Sequence, residues 1–254
     1  MENNEIIYGK NAIEAMLSSN RRKINKIFLA KGIKFDAKIQ KIVEIAKNNG
    51  IIIQDVPREK LDSIAQGSHQ GVAASVSPIE YVDFDNFMKN IKNSSEQSLV
   101  IILDGVEDPY NFGSIIRTAF ASGAAAVIIP KRRSTQVTAT VEKASAGAVE
   151  NIPIIQVTNI NSAIDKLKEA NFWIIGAESS GDKYYFDVNY DMNCALVLGG
   201  EGKGISQLVK KHCDFLVKIP MIGKINSLNV ANAASIMIYE ILRQKLTKQS
   251  MVKK

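Results

Sequence analysis

The chain has 254 residues, 46% of them hydrophobic and 23% charged, enough for one large domain or two modest ones with a buried core. No apolar run approaches the length of a membrane span, and the opening Met-Glu-Asn-Asn-Glu lacks the basic-then-apolar pattern of a secretory signal, so a reducing cytoplasm is the expected location. Cys194 and Cys213, with no C-x-x-C, suggest no disulfide framework, and with only His69 and His212 beside them no metal site is expected.

The net charge of +6 is unevenly placed. Residues 1–78 hold 12 Lys/Arg against 8 Asp/Glu, residues 79–96 hold 2 against 4, and five cations lie in the last twelve positions. Basic excess in the N-terminal part and the tail fits a polyanionic partner.

In chain order, Lys10–Leu17 reads as a helix, Ile24–Ala30 as a strand, and Ala37–Asn48 as a helix with Ile39, Ile42, Val43 and Ala46 inward. Ile51–Val56 is a strand, Arg58–Ala65 a short helix and Gly71–Val76 a strand, completing an α/β unit over 1–78. Residues 79–97 are acidic and aperiodic and predict a linker. Over 98–248 the predicted strands are Leu99–Leu103, Ala125–Ile129, Pro153–Val157, Phe172–Gly176, Ala195–Leu198 and Phe215–Ile219. Helices fall between most of them: Phe112–Ala121, Val137–Ala144, Ile160–Ala170 and Ile205–Lys211. Continuous Val/Ile/Leu runs mean strands covered on both faces, hence a mainly parallel sheet. A final helix carries Val230, Ala233, Ala234, Met237, Ile238, Ile241 and Leu242 on one face, and 249–254 is a basic tail.

Three stretches carry possible chemistry. In D-G-V-E-D-P-Y-N-F-G-S-I-I-R (104–117), Gly113 and Arg117 are i and i+4, so the glycine clears space where the guanidinium lies, at a strand's carboxyl end where open α/β sheets bind ligands. G-G-E-G-K-G-I (199–205) follows a strand but fits neither the P-loop nor the dinucleotide fingerprint; its glycines suggest backbone wrapped on a ligand around Glu201. Asn226, Ser227 and Asn229 crowd the start of the last helix, where one cap, taken as Ser227, would suffice. Lys131-Arg132-Arg133-Ser134 is a basic loop.

N-F-G-S-I-I-R, then G-G-E-G-K-G-I, then I-P-M-I-G-K-I-N-S-L-N-V-A-N-A-A, together with K-A-S-A-G-A-V-E at 143–150, resembles the ordered motifs of the SpoU (TrmH-type) RNA ribose 2′-O-methyltransferases. The N-terminal part, with I-Y-G-K-N-A-I-E-A-M-L and H-Q-G-V-A-A, is similar to the ribosomal-protein-like RNA-binding domain of the bacterial large-subunit rRNA members. Gly200 stands where alanine is common and is expected to be harmless; Asn11 stands where histidine often does.

The resemblance implies a C-terminal SPOUT fold tied in a trefoil knot, S-adenosylmethionine held in it, and a homodimer with the active site at the subunit interface. It assigns Asn111, Arg117, Glu201, Ser227 and Asn229 to catalysis, with Asn111 and Glu201 holding Arg117, and Gly199, Ile219 and Leu228 to the cofactor. A guanidinium stays protonated, so Arg117 is expected to organise phosphate and hydroxyl rather than act as base. Lys10, Arg21, Arg22, Lys23, Arg132 and Arg133 are the candidate RNA contacts. Large-subunit rRNA guanosine is the first expected substrate and tRNA the second. The rivals are a nucleotide-dependent oxidoreductase, which lacks its acid after the next strand, and a non-catalytic RNA-binding protein, which would be expected to lose some of the five catalytic positions.

Overall fold

The computed structural model describes residues 4–19, 21–65, 67–92, 97–132 and 134–252. They divide into two compact units, Met1–Glu80 with Val137–Asn151, and Tyr81–Gln136 with Ile152–Lys254.

The first unit runs β1 (Glu5–Tyr8), α1 (Lys10–Ser19), β2 (Ile24–Ala30), α2 (Ala37–Asn48), β3 (Ile52–Val56), α3 (Arg58–Ile64) and β4 (Val72–Val76). Its strands form one sheet in the order β1-β4-β2-β3, with β2 and β3 parallel and the other pairs antiparallel. The Asp36 carboxylate accepts from Ile39 N at 3.0 Å and starts α2, which buries Ile39, Ile42 and Ala46. The four-residue β1 is too short to announce itself by alternation.

The second unit opens with α4 (Phe84–Lys92), β5 (Leu99–Asp104), α5 (Pro109–Ala121) and β6 (Ala126–Pro130). The chain then contributes α6 (Ala139–Ala144) and a 3₁₀ turn (Ala148–Glu150) to the first unit. It continues in the second unit as β7 (Ile154–Val157), α7 (Ile160–Glu169), β8 (Trp173–Ala177), β9 (Lys183–Tyr184), β10 (Cys194–Gly199), α8 (Gln207–His212), β11 (Phe215–Lys218) and α9 (Val230–Val252). Its seven strands lie in the order β7-β6-β5-β10-β8-β11-β9, every neighbouring pair parallel. Alternate residues of these strands, such as Val100, Ile102, Ala126, Ile128 and Val197, pack with Phe87 and Met88 of α4, Ile164 and Leu167 of α7 and Val209 of α8. Leu99, Ile101, Leu103, Leu196 and Leu198, on the opposite face, are buried as well. That double burial is what uninterrupted apolar runs require, at roughly 1.5–3 kcal/mol per buried aliphatic side chain.

Two boundaries differ from expectation. Residues 79–97 are not a free linker, since Val82 bridges to Ile155 and Phe84, Phe87, Met88 and Ile91 line one face of α4. That i, i+3, i+4, i+7 set was in the sequence, masked by the acidic residues around it. Residues 249–252 prolong α9 rather than begin a tail.

The segment 137–151 joins the first unit for a chemical reason. Arg22 Nη1 donates to Glu142 Oε1 at 2.9 Å and Glu150 Oε1 at 3.1 Å, Nη2 to Glu5 Oε2 at 2.6 Å, and Nε to Ser77 O at 2.7 Å. The side chains of Arg22, Glu142 and Glu150 are 2%, 0% and 1% exposed. Two buried carboxyls facing one cation cannot both ionise cheaply. Burial first, and the adjoining Glu150 second, hold Glu142 well above the usual carboxylate range. Arg22 is therefore corrected from RNA contact to buried anchor: its guanidinium is enclosed and fully engaged.

Candidate active site

The site is built where the carboxyl ends of β5 and β10 meet the start of α9. Asp108 caps α5, its carboxylate accepting from Asn111 N at 2.7 Å, and Pro109 follows in the first turn. This aims Asn111 out of the helix start. Asp104, the last residue of β5, binds the Gly-rich loop twice: its carbonyl accepts from Gly200 N at 2.9 Å and its carboxylate from Ser206 N at 2.8 Å. The loop then closes on itself through Gly204 N and Gly200 O at 3.0 Å.

That closure explains two glycines. A Cβ on Gly199 would stand 2.0 Å from the carbonyl carbon of Gly204, and one on Gly200 would stand 1.9 Å from Gly105 O. Glycine at 200, where alanine is common, suits this packing, since an alanine there would require the Gly105 turn to move. The glycines let two backbone segments touch.

Three side chains from the three motifs are linked. Asn229 Nδ2 donates to Asn111 Oδ1 at 2.9 Å, and Asn111 Nδ2 donates in turn to Glu201 Oε1. Asn229 Oδ1 meanwhile accepts from Ala231 N at 2.9 Å and Asn232 N at 3.3 Å. The helix cap is thus Asn229, not Ser227, and one asparagine serves both α9 and the relay. Ser227 is exposed and makes no hydrogen bond in the described chain.

Arg117 stands apart. It is exposed on α5 with no hydrogen bond or ion pair among the described residues. Six residues beyond Asn111, it lies about 9 Å along the helix and roughly 120° round it. Asn111 and Glu201, expected to hold it, hold each other instead.

Gly199, Ile219 and Leu228 line one cavity of about 610 Å³, with Glu201, Ser227 and Asn229 also on its wall. That volume lies within the roughly 300–1,000 Å³ of small-molecule sites. Glu178, absent from the sequence expectations, also lines it. Its side chain is 11% exposed, with Lys210 Nζ 2.8 Å from Oε2, though the approach is not aligned as a hydrogen bond. Its position just past β8 was the signal that could have found it. Loop amides beside glycines, apolar walls at Leu198 and Met237, and one enclosed carboxylate suit a ligand with an aromatic base, hydroxyls and a cationic end. S-adenosylmethionine fits that description.

Of the remaining RNA candidates, Arg21 and Lys23 are exposed, and Lys10 is paired with Asp36. That ammonium and the Ile39 N–H hold the Asp36 carboxyl below its usual range. Arg132 is exposed in the second unit, and Arg133 lies outside the described residues. Among the described residues no group of three or more His, Cys, Asp or Glu could hold a metal, and no helix is long and apolar enough to cross a membrane.

Solved structures share this architecture. AviRb, a SpoU methyltransferase from Streptomyces viridochromogenes, matches with a TM-score of 0.81 at 23% identity over 96% of this chain and 91% of that one, and has also been solved with AdoMet. An AdoMet-bound rRNA methyltransferase from Sinorhizobium meliloti matches with a TM-score of 0.77 at 24% identity over 94% and 87%. A TrmH family tRNA/rRNA methyltransferase of Staphylococcus haemolyticus is 49% identical over 240 residues, 94% of this chain and 96% of that protein. The model of the SpoU rRNA Methylase family matches residues 98–239, and that of RNA 2′-O ribose methyltransferase substrate binding matches 6–82. The chain belongs to the SpoU family. It is an enzyme, an RNA 2′-O-ribose methyltransferase with S-adenosylmethionine as its methyl donor.

Proposed function

We propose that the chain methylates the ribose 2′-hydroxyl of a guanosine in large-subunit ribosomal RNA, acting as a cytoplasmic homodimer. The observation that carries this reading is the Asn229–Asn111–Glu201 relay on the rim of the 610 Å³ cavity. When bound, S-adenosylmethionine supplies an electrophilic methyl group. The chain's own residues position the acceptor. With Oε1 of Glu201 accepting from Asn111, the carboxylate is held in one orientation, and Oε2 has no hydrogen-bond partner in the described chain. It is placed to accept from a ribose hydroxyl, while Ser227 offers a second hydroxyl nearby. Arg117 bears on phosphate and stabilises developing charge, since it cannot serve as base.

A second copy of the chain supplies what one copy lacks. Arg117 points away from Asn111, and α5 and α9, packed beside each other, leave Tyr110, Phe120, Tyr239 and Leu246 exposed. A dimer through these helices covers those side chains and brings each Arg117 toward the partner's relay. Residues 1–78 select the RNA, with Arg21 and Lys23 making phosphate contacts and Lys10 joining them when it leaves Asp36.

Domain layout supports ribosomal RNA over tRNA. The Sinorhizobium rRNA enzyme covers 94% of this chain, whereas the A. aeolicus TrmH/SpoU tRNA modifying enzyme covers 65%. Mapping ribose methylation in total RNA from a deletion strain is the test. Loss of one mark in large-subunit RNA supports the reading, and loss of a tRNA mark alone refutes it.

A further inference from the structure

The Gly-rich loop has a second cavity on its other side. This cavity, about 600 Å³, opens at the carboxyl ends of β5, β6 and β7. Glu201 and Lys203 lie on its wall as well as on that of the cofactor cavity. Whatever occupies it therefore adjoins the relay carboxylate.

Its polar groups fall into two sets. Asp104 and Asp108 are engaged, one by Ser206 N and the other by Asn111 N. Glu107, Arg132 and Lys203 are exposed and make no hydrogen bond or ion pair among the described residues. Asn161 Oδ1 is buried without a hydrogen-bond partner, and Asn159 uses its own oxygen on Asn161 N and Ser162 N, leaving its NH₂ group without a partner among the described residues. The cavity thus offers two cations, the Glu107 carboxylate, the second oxygen of the relay carboxylate Glu201 and an unpaired amide oxygen.

We propose that this second cavity reads the base of the target nucleotide, and that its chemistry selects guanine. The inference rests on the reading of the chain as a methyltransferase of nucleosides in RNA. A base drawn out of its stack is recognised along its Watson–Crick edge. Guanine presents two adjacent donors there, the N1–H and the 2-amino group, matching the two oxygens of the Glu107 carboxylate. Adenine and cytosine present an amino donor beside an acceptor, which a carboxylate repels, and uracil presents one donor between two acceptors. Arg132 and Lys203 neutralise the flanking phosphate. The wrong base sets an acceptor against the Glu107 carboxylate in place of a donor, and that mismatch supplies the discrimination.

The test measures binding, not transfer. The full chain, saturated with S-adenosylmethionine, is titrated with GMP, IMP and AMP by saturation-transfer NMR. IMP keeps the N1–H and lacks the 2-amino group. The expected order is GMP tightest, IMP intermediate and AMP weakest. Glu107→Gln should cut GMP affinity on the order of tenfold and leave AMP nearly unchanged. Arg132→Ala should weaken all three alike and flatten their salt dependence. S-adenosylmethionine affinity, measured by calorimetry, should be the same in each variant. Equal affinity for the three nucleotides, or an unchanged GMP-to-AMP ratio in Glu107→Gln, overturns the proposal. Guanine selectivity in a chain that methylates no RNA would instead refute the functional reading and leave the cavity assignment standing.

Discussion

Asn111 illustrates how much one residue can carry. It sits in the first turn of α5, receives Asn229 on its oxygen, and passes its own NH₂ to Glu201. Asn111, Glu201 and Asn229 were legible in the sequence because three motifs marked them, but their mutual bonds were not, since spacings of about 90 and 118 residues say nothing about contact. Arg22 was misread for the converse reason. In R-R-K it looks like a solvated charge run, and its partners lie 120 and 128 residues away. Arg117→Ala should lower transfer by about 100-fold or more, the worth of one aimed donor, with S-adenosylmethionine affinity and thermal midpoint unchanged. Calorimetry and a methyl-transfer assay decide it; near-wild-type transfer would make Arg117 dispensable. The cysteines are expected to be inert. Burial pushes both Cys194 and Cys213 thiols up to about 12, so neither should label at pH 8 in the folded chain, and rapid labelling of either would contradict the fold around it.

At the scale of elements, most strands and helices were legible because parallel strands and amphipathic helices write themselves as apolar runs and 3.6-residue stripes. β1, β9 and the 3₁₀ turn Ala148–Glu150 were not, being only two to four residues long. The helix α4 was missed although its stripe was present. Phe87 is 7% exposed in the core of the second unit, so Phe87→Ala should destabilise the chain by about 3–5 kcal/mol in urea unfolding. A residue in a true linker would leave the midpoint unmoved. The Gly-rich loop makes a sharper demand. In Gly199→Ala the new methyl meets backbone, not a yielding side chain. Loss of S-adenosylmethionine binding with the bulk of the fold retained is the expected result, read by calorimetry beside circular dichroism. Unchanged affinity would mean that the loop opens without penalty.

At the scale of the whole molecule, the discontinuity of the units was not legible. Composition shifts marked a boundary near residue 78, but the return of 137–151 to the first unit depends on pairing that only the folded chain displays. The buried cluster gives this segment a pH signature. Glu142 keeps a proton in the folded chain at pH values where the unfolded chain has lost it. Between those two values the native state binds more protons, so stability falls as pH rises, by roughly 1 kcal/mol per pH unit for one such group. Glu142→Gln retains an acceptor for Arg22 and a donor for Glu150 without the titration. Its thermal midpoint should therefore exceed wild type at pH 8 and approach it at pH 5. Parallel midpoints across that range would show that the pair is not held as described.

The same cluster bears on whether the catalytic part stands alone. A sequence reading with a linker at 79–97 expects residues 79–254 to fold and bind cofactor unaided. In the folded chain, however, 137–151 lies inside the first unit, with Ala148 and Val149 buried and Glu142 and Glu150 facing Arg22. Removing residues 1–78 takes away that arginine and the apolar cover together. The carboxylates would then ionise in water, but the apolar side chains between them would be exposed in a segment joined at both ends to the second unit. Truncation should thus leave the parallel sheet formed and 137–151 open, seen as rapid hydrogen exchange confined to that segment and early proteolysis within it. Arg22→Met in the full chain separates the two losses. It keeps the cover and removes the charge, and should destabilise by about 3–5 kcal/mol because a buried carboxylate loses its partner. Slow exchange across 137–151 in the truncated chain would mean that the second unit holds this segment by itself, and that the Arg22 cluster is incidental to its fold.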